Sequence, residues 1–572
     1  MPFKSLLPDI DIPKVDLLSY VFPEGKSPST DPLWLDTKDP NNSLSPAQLL
    51  LWIKRLAIGL RNAGVKKGEV VMIYTPNHIF VPVAYLGISG TGHAFSGANP
   101  IYTVPEMVHQ IKNTGARILL VYPSLLKTAI QAAKEAGLPK DRIFQFSDKP
   151  NPPVDGVKDW REMLGSEEEA EGYYWPKLSP EDSTTTVATI NYSSGTTGLP
   201  KGVCVSHYNI ISNIEQTLVI KYLNRLYTRE SAPPERWLGF LPLYHAYGQL
   251  WTIMMALKLN VPVYVMTQFV YEDYLRAIQD FKITQLHVAP PILVMLSKRP
   301  ESTKYDLSSV KECLCGAAPL SKELQNDVSA RFKFQINQGW GMTEVTTGAI
   351  IVPFSVNDNT GSVGELLPNT ECMLLDDDGN EVGIGQPGEL CIRGPQVCLR
   401  YWRNEQATKD SITPDRWLKT GDVAVYDKKG YFWIVDRKKA SSILMLTNKR
   451  WLTKSQELIK VNSLQVSPAE LEAALLEHEH IADVAVVGIN LHDEEWPRAY
   501  VAIQDSAKGK VKPEDIQEWI KSRVAKHKYL AGGVTFVDEV PKLASGKIQR
   551  KVMREWAKRD AEILQKEIKS RF

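Results

Sequence analysis

The residues best suited to chemistry lie in one stretch, Tyr192-Ser193-Ser194-Gly195-Thr196-Thr197-Gly198-Leu199-Pro200-Lys201-Gly202-Val203. An unbroken run of hydroxyl and glycine residues from Ser193 to Gly198 is followed by the single cation Lys201. Glycine lets the main chain approach an anion closely, and successive N–H groups and hydroxyls can wrap phosphate oxygens. The pattern predicts a polyphosphate cradle. It is not a P-loop, which joins Gly, Lys and Ser/Thr directly; here Pro200 precedes Lys201 and Gly202 follows it. Other reactive types are spread downstream. His245 lies between the aromatics Tyr244 and Tyr247, and Trp340 offers a stacking face two residues after Gln338. Asp422, in the turn tripeptide Thr420-Gly421-Asp422, is a bidentate acceptor, and Arg437 beside Asp436 adds donors. Lys547 follows a Ser545-Gly546 turn as a lone cation. Phosphoryl chemistry, which runs mainly on positioning and charge neutralisation, suits this set.

Positioning groups so far apart takes more than one core. The 572 residues exceed the roughly 250–300 at which single cores stop growing. Ser45-Pro46 opens a helix expected to run to Gly64, with Pro in the first turn and Gly past the end. Gly68 to Tyr74 reads as a buried strand, and such strands alternate with apolar helices to about residue 350. That alternation argues an α/β fold. A polar connector over residues 148–182 leads into the glycine loop. After about residue 436 the texture changes to short charged helices and strands, where Ser467-Pro468-Ala469-Glu470 is a capping box opening a helix.

With 43% apolar and 23% charged residues, the composition is that of an ordinary soluble globular protein. A net charge of +1 supplies no bulk field for nucleic acid or membrane. Asp9, Asp11 and Asp16 are wrong for a signal peptide, and no apolar run reaches the ~20 residues of a membrane span. The scattered cysteines, including Cys313 and Cys315 without a matching second pair, read as reduced buried thiols rather than a zinc site.

Taken in order, these segments resemble the acyl-adenylate-forming superfamily, with a texture nearest fungal-type relatives of 4-coumarate–CoA ligase. The glycine loop is similar to that superfamily's phosphate loop, and Leu241 to Gly248 to its acyl-pocket segment. Gly316-Ala317-Ala318-Pro319-Leu320 is similar to the turn along the adenine, and Gln338-Gly339-Trp340-Gly341-Met342-Thr343-Glu344 to the segment that stacks on it. The resemblance implies a large N-terminal domain, residues 1–436, of α/β layers with a β-barrel-like part. A small mobile α+β domain, residues 437–572, would carry the catalytic lysine. It implies ATP binding by Ser193, Ser194, Gly195, Thr196, Thr197, Gly198, Lys201, Gly316, Ala317, Ala318, Gly339, Trp340, Gly341, Met342, Thr343, Asp422, Arg437 and Lys547. Mg²⁺ would sit at Glu344 and Thr197, and Lys547, His245 and Thr343 would be catalytic. His245, Ala246, Tyr247, Leu250, Leu314, Gly316 and Gly341 would line the acyl pocket; Lys439, Lys460, Ser463 and Gln465 would serve the hinge and the CoA site. The implied activity is ATP-dependent formation of an acyl-CoA from a carboxylic acid, with release of AMP and pyrophosphate.

Several departures stand out. Trp340 replaces the usual tyrosine, Ser463 the usual glycine of the thiol-acceptor stretch, and Arg400 the glycine before Tyr401. Leu250 and Leu314 stand where hydroxycinnamate ligases carry Asn and Lys, arguing for an apolar acid. Ala440 to Gln456 interrupts the hinge, and its deletion joins Lys439 to Glu457 in the expected register. That segment reads as a translated intron, with a genuine surface loop as the alternative. Two further functions stay open, an adenylating loader of a carrier-protein thiol and a luciferase-like oxidoreductase. Ser570-Arg571-Phe572 is a loose peroxisomal-type address, leaving peroxisome and cytoplasm as alternatives.

Overall fold

A computed structural model describes residues 2–193, 200–437, 459–461, 464–466, 468–491, 494–524, 526–542 and 548–569. For Asp436, Arg437, Lys460 and Gln465 only the backbone is described. Local signals set the first elements. The helix Pro46–Asn62 starts under Ser45, whose hydroxyl accepts from the Gln48 N–H while the Gln48 side chain accepts from the Ser45 N–H. It ends before Gly64, which takes φ +75°, a conformation a side chain disfavours. Val70–Tyr74 follows as a strand buried on both faces, as a parallel sheet covered by helices requires.

Two large mixed sheets carry the N-terminal part. The first has eight strands, with Val70–Tyr74 and Ala94–Ala98 central. Val187–Ser193 pairs parallel to Ala94–Ala98, and Lys201–Ser206 turns back antiparallel on Val187–Ser193. Arg400–Tyr401 forms the edge beyond it. The second sheet has nine strands; Trp237–Gly239, Gln285–Val288, Glu312–Cys315 and Gln335–Trp340 run parallel at its centre. Both sheets thus present strand ends and the loops that follow them to a common core, where Val203, Val205, Leu250, Leu314 and Trp340 are all buried.

A third sheet of five antiparallel strands supplies the barrel-like part, running from Phe3–Lys4 through Glu371–Leu375 and Gly388–Arg393 to Leu418–Tyr426 and Phe432–Arg437. The C-terminal α+β part contains a hairpin, Ile459–Val461 and Leu464–Val466, and a sheet of Ile481–Leu491, Glu494–Ile503 and Val534–Val537. The helices Pro468–Leu476, Pro513–Lys521 and Arg550–Lys569 accompany that sheet. All six cysteines are buried, and none forms a disulfide. Among the described residues no helix is long and apolar enough to cross a membrane.

Candidate active site

The glycine loop connects two antiparallel strands. Ser193 ends one and Lys201 begins the next, and the two are register partners that close the loop's base. Ser194, Gly195, Thr196, Thr197 and Gly198 lie outside the described residues. Beside the loop's base, the turn Thr343–Val345 brings in Glu344, 5% exposed. Its Oε1 accepts from the Ser193 hydroxyl (3.3 Å) and the Tyr401 phenol (2.8 Å). The Lys201 ammonium lies 5.2 Å from the centre of the Tyr401 ring. Burial, then the adjacent Glu344 carboxylate, pushes the Tyr401 phenol well above its ordinary range, so it remains a donor. Sequence reasoning missed this role: Tyr401 drew notice only through the unusual Arg400 before it.

The nucleoside-binding candidates also converge. The Trp340 indole N–H donates to Asp422 Oδ2 at 2.8 Å. Asp422 and Arg437 are cross-strand partners, so strand register brings these two candidates together. Thr420-Gly421-Asp422 is not a free turn but part of the strand Leu418–Tyr426; Gly421 at φ +74° kinks it where its pairing with Gly388–Arg393 shifts register. The Thr420 hydroxyl accepts from the Asp422 N–H. Gly316 follows the strand Glu312–Cys315, and Ala317 takes the left-handed conformation at φ +72°. A Cβ on Gly316 would lie 3.6 Å from the Gly339 carbonyl oxygen and 3.8 Å from the Tyr247 ring, so these three segments meet.

The His245 segment is held from several sides. The Asn77 amide donates to the Phe240 and Leu241 carbonyls and accepts from the Leu243 N–H. His245 caps the short helix Ala246–Gly248, which runs into a buried π-helical turn, Gln249–Met255. Such turns cluster at functional sites because the extra residue re-aims side chains. Tyr247 donates to the Leu314 carbonyl at 3.0 Å. Ala246 and Leu250 line a small cavity with Tyr85, Asn191, Thr346 and Thr347. Leu314 is absent from that lining; it lies on the Tyr247 and Gly339 side.

Two features of the pocket wall carry no signal in the sequence. Asn191 and Gln249 exchange reciprocal amide hydrogen bonds at 3.0 Å, tying the strand before the glycine loop to the π-helical turn. Thr346 takes φ 65° and ψ −59° while the Thr347 N–H reaches the Val345 carbonyl at 2.7 Å, a strained γ-turn. The chain passes so close there that a Cβ on Gly341 would sit 1.7 Å from the Thr347 carbonyl oxygen. Gly341 and Met342 therefore link the Trp340 face to the pocket wall.

In the C-terminal part, Lys460 and Gln465 are cross-strand partners in the hairpin. Lys439, Ser463, Lys547, the segment 440–456 and the terminal tripeptide lie outside the described residues. Glu344 suits a hard divalent cation, since among the described residues both donors that reach it fall on Oε1 and a carboxylate oxygen is the ligand Mg²⁺ prefers. No cluster of three or more His, Cys, Asp or Glu side chains competes for a metal among the described residues.

The AMP-binding enzyme family model matches residues 27–402, and the model of that enzyme's C-terminal domain matches residues 470–547. An acyl-CoA synthetase of Alternaria alternata is 35% identical over 94% of this chain and 91% of its own length. A phenylacetyl-CoA ligase of Aspergillus niger is 35% identical over 97% of this chain and 98% of its own. In fold, the chain is similar to ATP-bound MatB from Rhodopseudomonas palustris, with a TM-score of 0.77 at 24% identity over 96% of this chain and 99% of that one.

Proposed function

Because this chain belongs to the AMP-forming acyl-CoA ligase family of AMP-binding enzymes, we propose that it activates a carboxylic acid with ATP and transfers the acyl group to CoA. The observation that carries this reading is the convergence of Ser193, Lys201 and Glu344 at the base of the glycine loop, with Trp340 bonded to Asp422 and the Ala246–Leu250 cavity nearby. A carboxylate is a poor acyl donor because its leaving group would be oxide. Its oxygen attacks the α-phosphorus of ATP, the bond to the bridging oxygen breaks, and pyrophosphate leaves. The CoA sulfur then attacks the adenylate carbonyl, AMP departs, and the thiol proton passes to solvent.

Most of the candidates have a place in that sequence. The loop hydroxyls, its N–H groups and Lys201 hold the polyphosphate, and Thr343 reaches the α-phosphate. Mg²⁺ bound at Glu344 and Thr197 supplies neutralisation of phosphate charge. Ala317, Ala318 and Trp340 hold the adenine, and Asp422 with Arg437 the ribose. Lys547 stabilises charge on the α-phosphate during the first step, then moves away with the C-terminal domain as CoA enters along Lys439, Lys460, Ser463 and Gln465. For the acid, buried Leu250 beside small Ala246 favours an apolar ring or chain, a class to which phenylacetic acid belongs.

The test is a pyrophosphate-release screen over aryl, phenylacetic and medium-chain acids, followed by thioester formation with CoA and with a carrier protein. Lys547→Ala is expected to slow adenylation by about 10²–10³, the usual loss for one preorganised donor, while pre-made acyl-adenylate still yields thioester. Equal loss in both half-reactions would overturn the two-conformation scheme. Transfer to a carrier protein but not to CoA would overturn the acceptor.

A further inference from the structure

Tyr401 touches both charged groups of the phosphate site, and nothing in the reading above gives it a task. Its segment is stapled in place from two sides. The Cys398 N–H donates to the Glu344 backbone carbonyl at 2.8 Å, and the Leu399 and Trp402 N–H groups donate to Cys204 and Gly202 on the strand that leaves the glycine loop. The Tyr401 N–H is taken by the Thr408 hydroxyl at 3.0 Å. The ring is therefore set by backbone pairing rather than by the groups it meets. With Tyr401 6% and Glu344 5% exposed, water competes little for the phenol–carboxylate bond. The Ser193 hydroxyl reaches that same oxygen, so both described donors leave Oε2 to other ligands.

We propose that Tyr401 is the positioning residue of the metal–nucleotide site. Its hydroxyl fixes the Glu344 carboxylate with Oε2 turned to the cation, and its ring gives Lys201 a resting face until polyphosphate arrives. A carboxylate held by one oxygen does not have to be ordered when the metal binds. An ammonium parked on an aromatic face 5.2 Å away is kept near the loop but not locked, because cation–π attraction is weaker than an ion pair with phosphate. The inference rests on the proposed function, in which Glu344 holds Mg²⁺.

Two full-length variants test it. Tyr401→Phe keeps the ring and removes the donor; Tyr401→Leu removes both. Tyr401→Phe is expected to raise the Mg²⁺ concentration for half-maximal adenylation by about 2- to 13-fold, the cost of ordering one freed side chain on binding. Mn²⁺ binding to the protein with ATP, followed by electron paramagnetic resonance without any acid, should weaken by the same factor. Thioester formation from pre-made adenylate should be unchanged. Tyr401→Leu should in addition raise the KM for ATP at saturating metal. A wild-type metal titration in Tyr401→Phe overturns the proposal, as does equal loss in both half-reactions with a lowered melting temperature. If the unaltered protein shows no metal-dependent pyrophosphate release with any acid, it is the proposed function that fails; metal-dependent wild type with an indifferent Tyr401→Phe sinks only the role of Tyr401.

Discussion

Replacing Trp340 by Phe isolates what the indole contributes beyond its aromatic face. The ring is 7% exposed and would still stack on an adenine, but the N–H that reaches Asp422 Oδ2 at 2.8 Å is lost. That bond exists before nucleotide arrives, so its effect on binding is preorganisation: it holds the carboxylate where the ribose diol will be. Without it Asp422 loses one of the contacts that hold it, and up to about 0.5–1.5 kcal/mol of side-chain ordering is left to the binding step. This corresponds to roughly a 2- to 13-fold rise in the KM for ATP. A bond to a charged acceptor is worth about 1.5–3 kcal/mol when buried, and Asp422 is only half-buried, so the stability loss should fall at or below the lower end. Pyrophosphate release is followed with ATP varied at saturating acid and Mg²⁺. The KM for the acid should not move. Trp340→Phe should also add little in an Asp422→Ala background, because the partner is already gone. An unchanged ATP KM, or the same rise with and without Asp422, would refute the preorganisation argument.

The unaltered protein should favour acids without a para-hydroxyl, since a phenol buried against Leu250 loses hydrogen bonds worth roughly 1–3 kcal/mol. Better turnover of 4-coumarate than of cinnamate would contradict this, and Leu250→Asn should shift preference toward 4-coumarate. At the γ-turn, Thr346→Gly relieves the positive φ but loses the hydroxyl bond to the Gln396 carbonyl, so urea unfolding should show a near-neutral change. Thr346→Val keeps the strain and loses the bond, at about 1–2 kcal/mol; a better-tolerated Val would sink the strain reading. Burial holds His78 and His207 at about 4, below the ordinary 6.5, and burial, then Lys221, also holds His287 well below 6.5. Between 6.5 and 4 the unfolded chain takes up protons that these folded imidazoles refuse, so stability is complete above 6.5 and declines as pH falls toward 4. A melting temperature that stays flat across that interval would contradict it. Deleting Ala440–Gln456 should leave thioester formation equal or faster, and the mature transcript should lack the segment; a transcript retaining it would refute the intron reading.

What the sequence determined by itself is what neighbouring residues decide together. Ser45, Pro46 and Gln48 make a helix start wherever they occur, and a run of hydroxyls and glycines ending in Lys201 suits phosphate whatever lies around it. The order of such segments along the chain was enough to show the α/β architecture with a smaller α+β part behind it. What only the tertiary structure decided are contacts between residues with no local reason to meet. Tyr401 reaches Glu344 across 57 positions and Asn191 reaches Gln249 across 58, in each case because strand register or a π-helical turn sets side chains face to face. Trp340 reads as a change of ring until the fold places its N–H on Asp422, 82 residues away. Leu250 and Leu314 look like equals in the sequence, yet the cavity takes in Leu250 and leaves Leu314 on the Tyr247 side. Propensity acts over a few residues, whereas register and close packing act over the whole chain, and the fine geometry of this site belongs to the second.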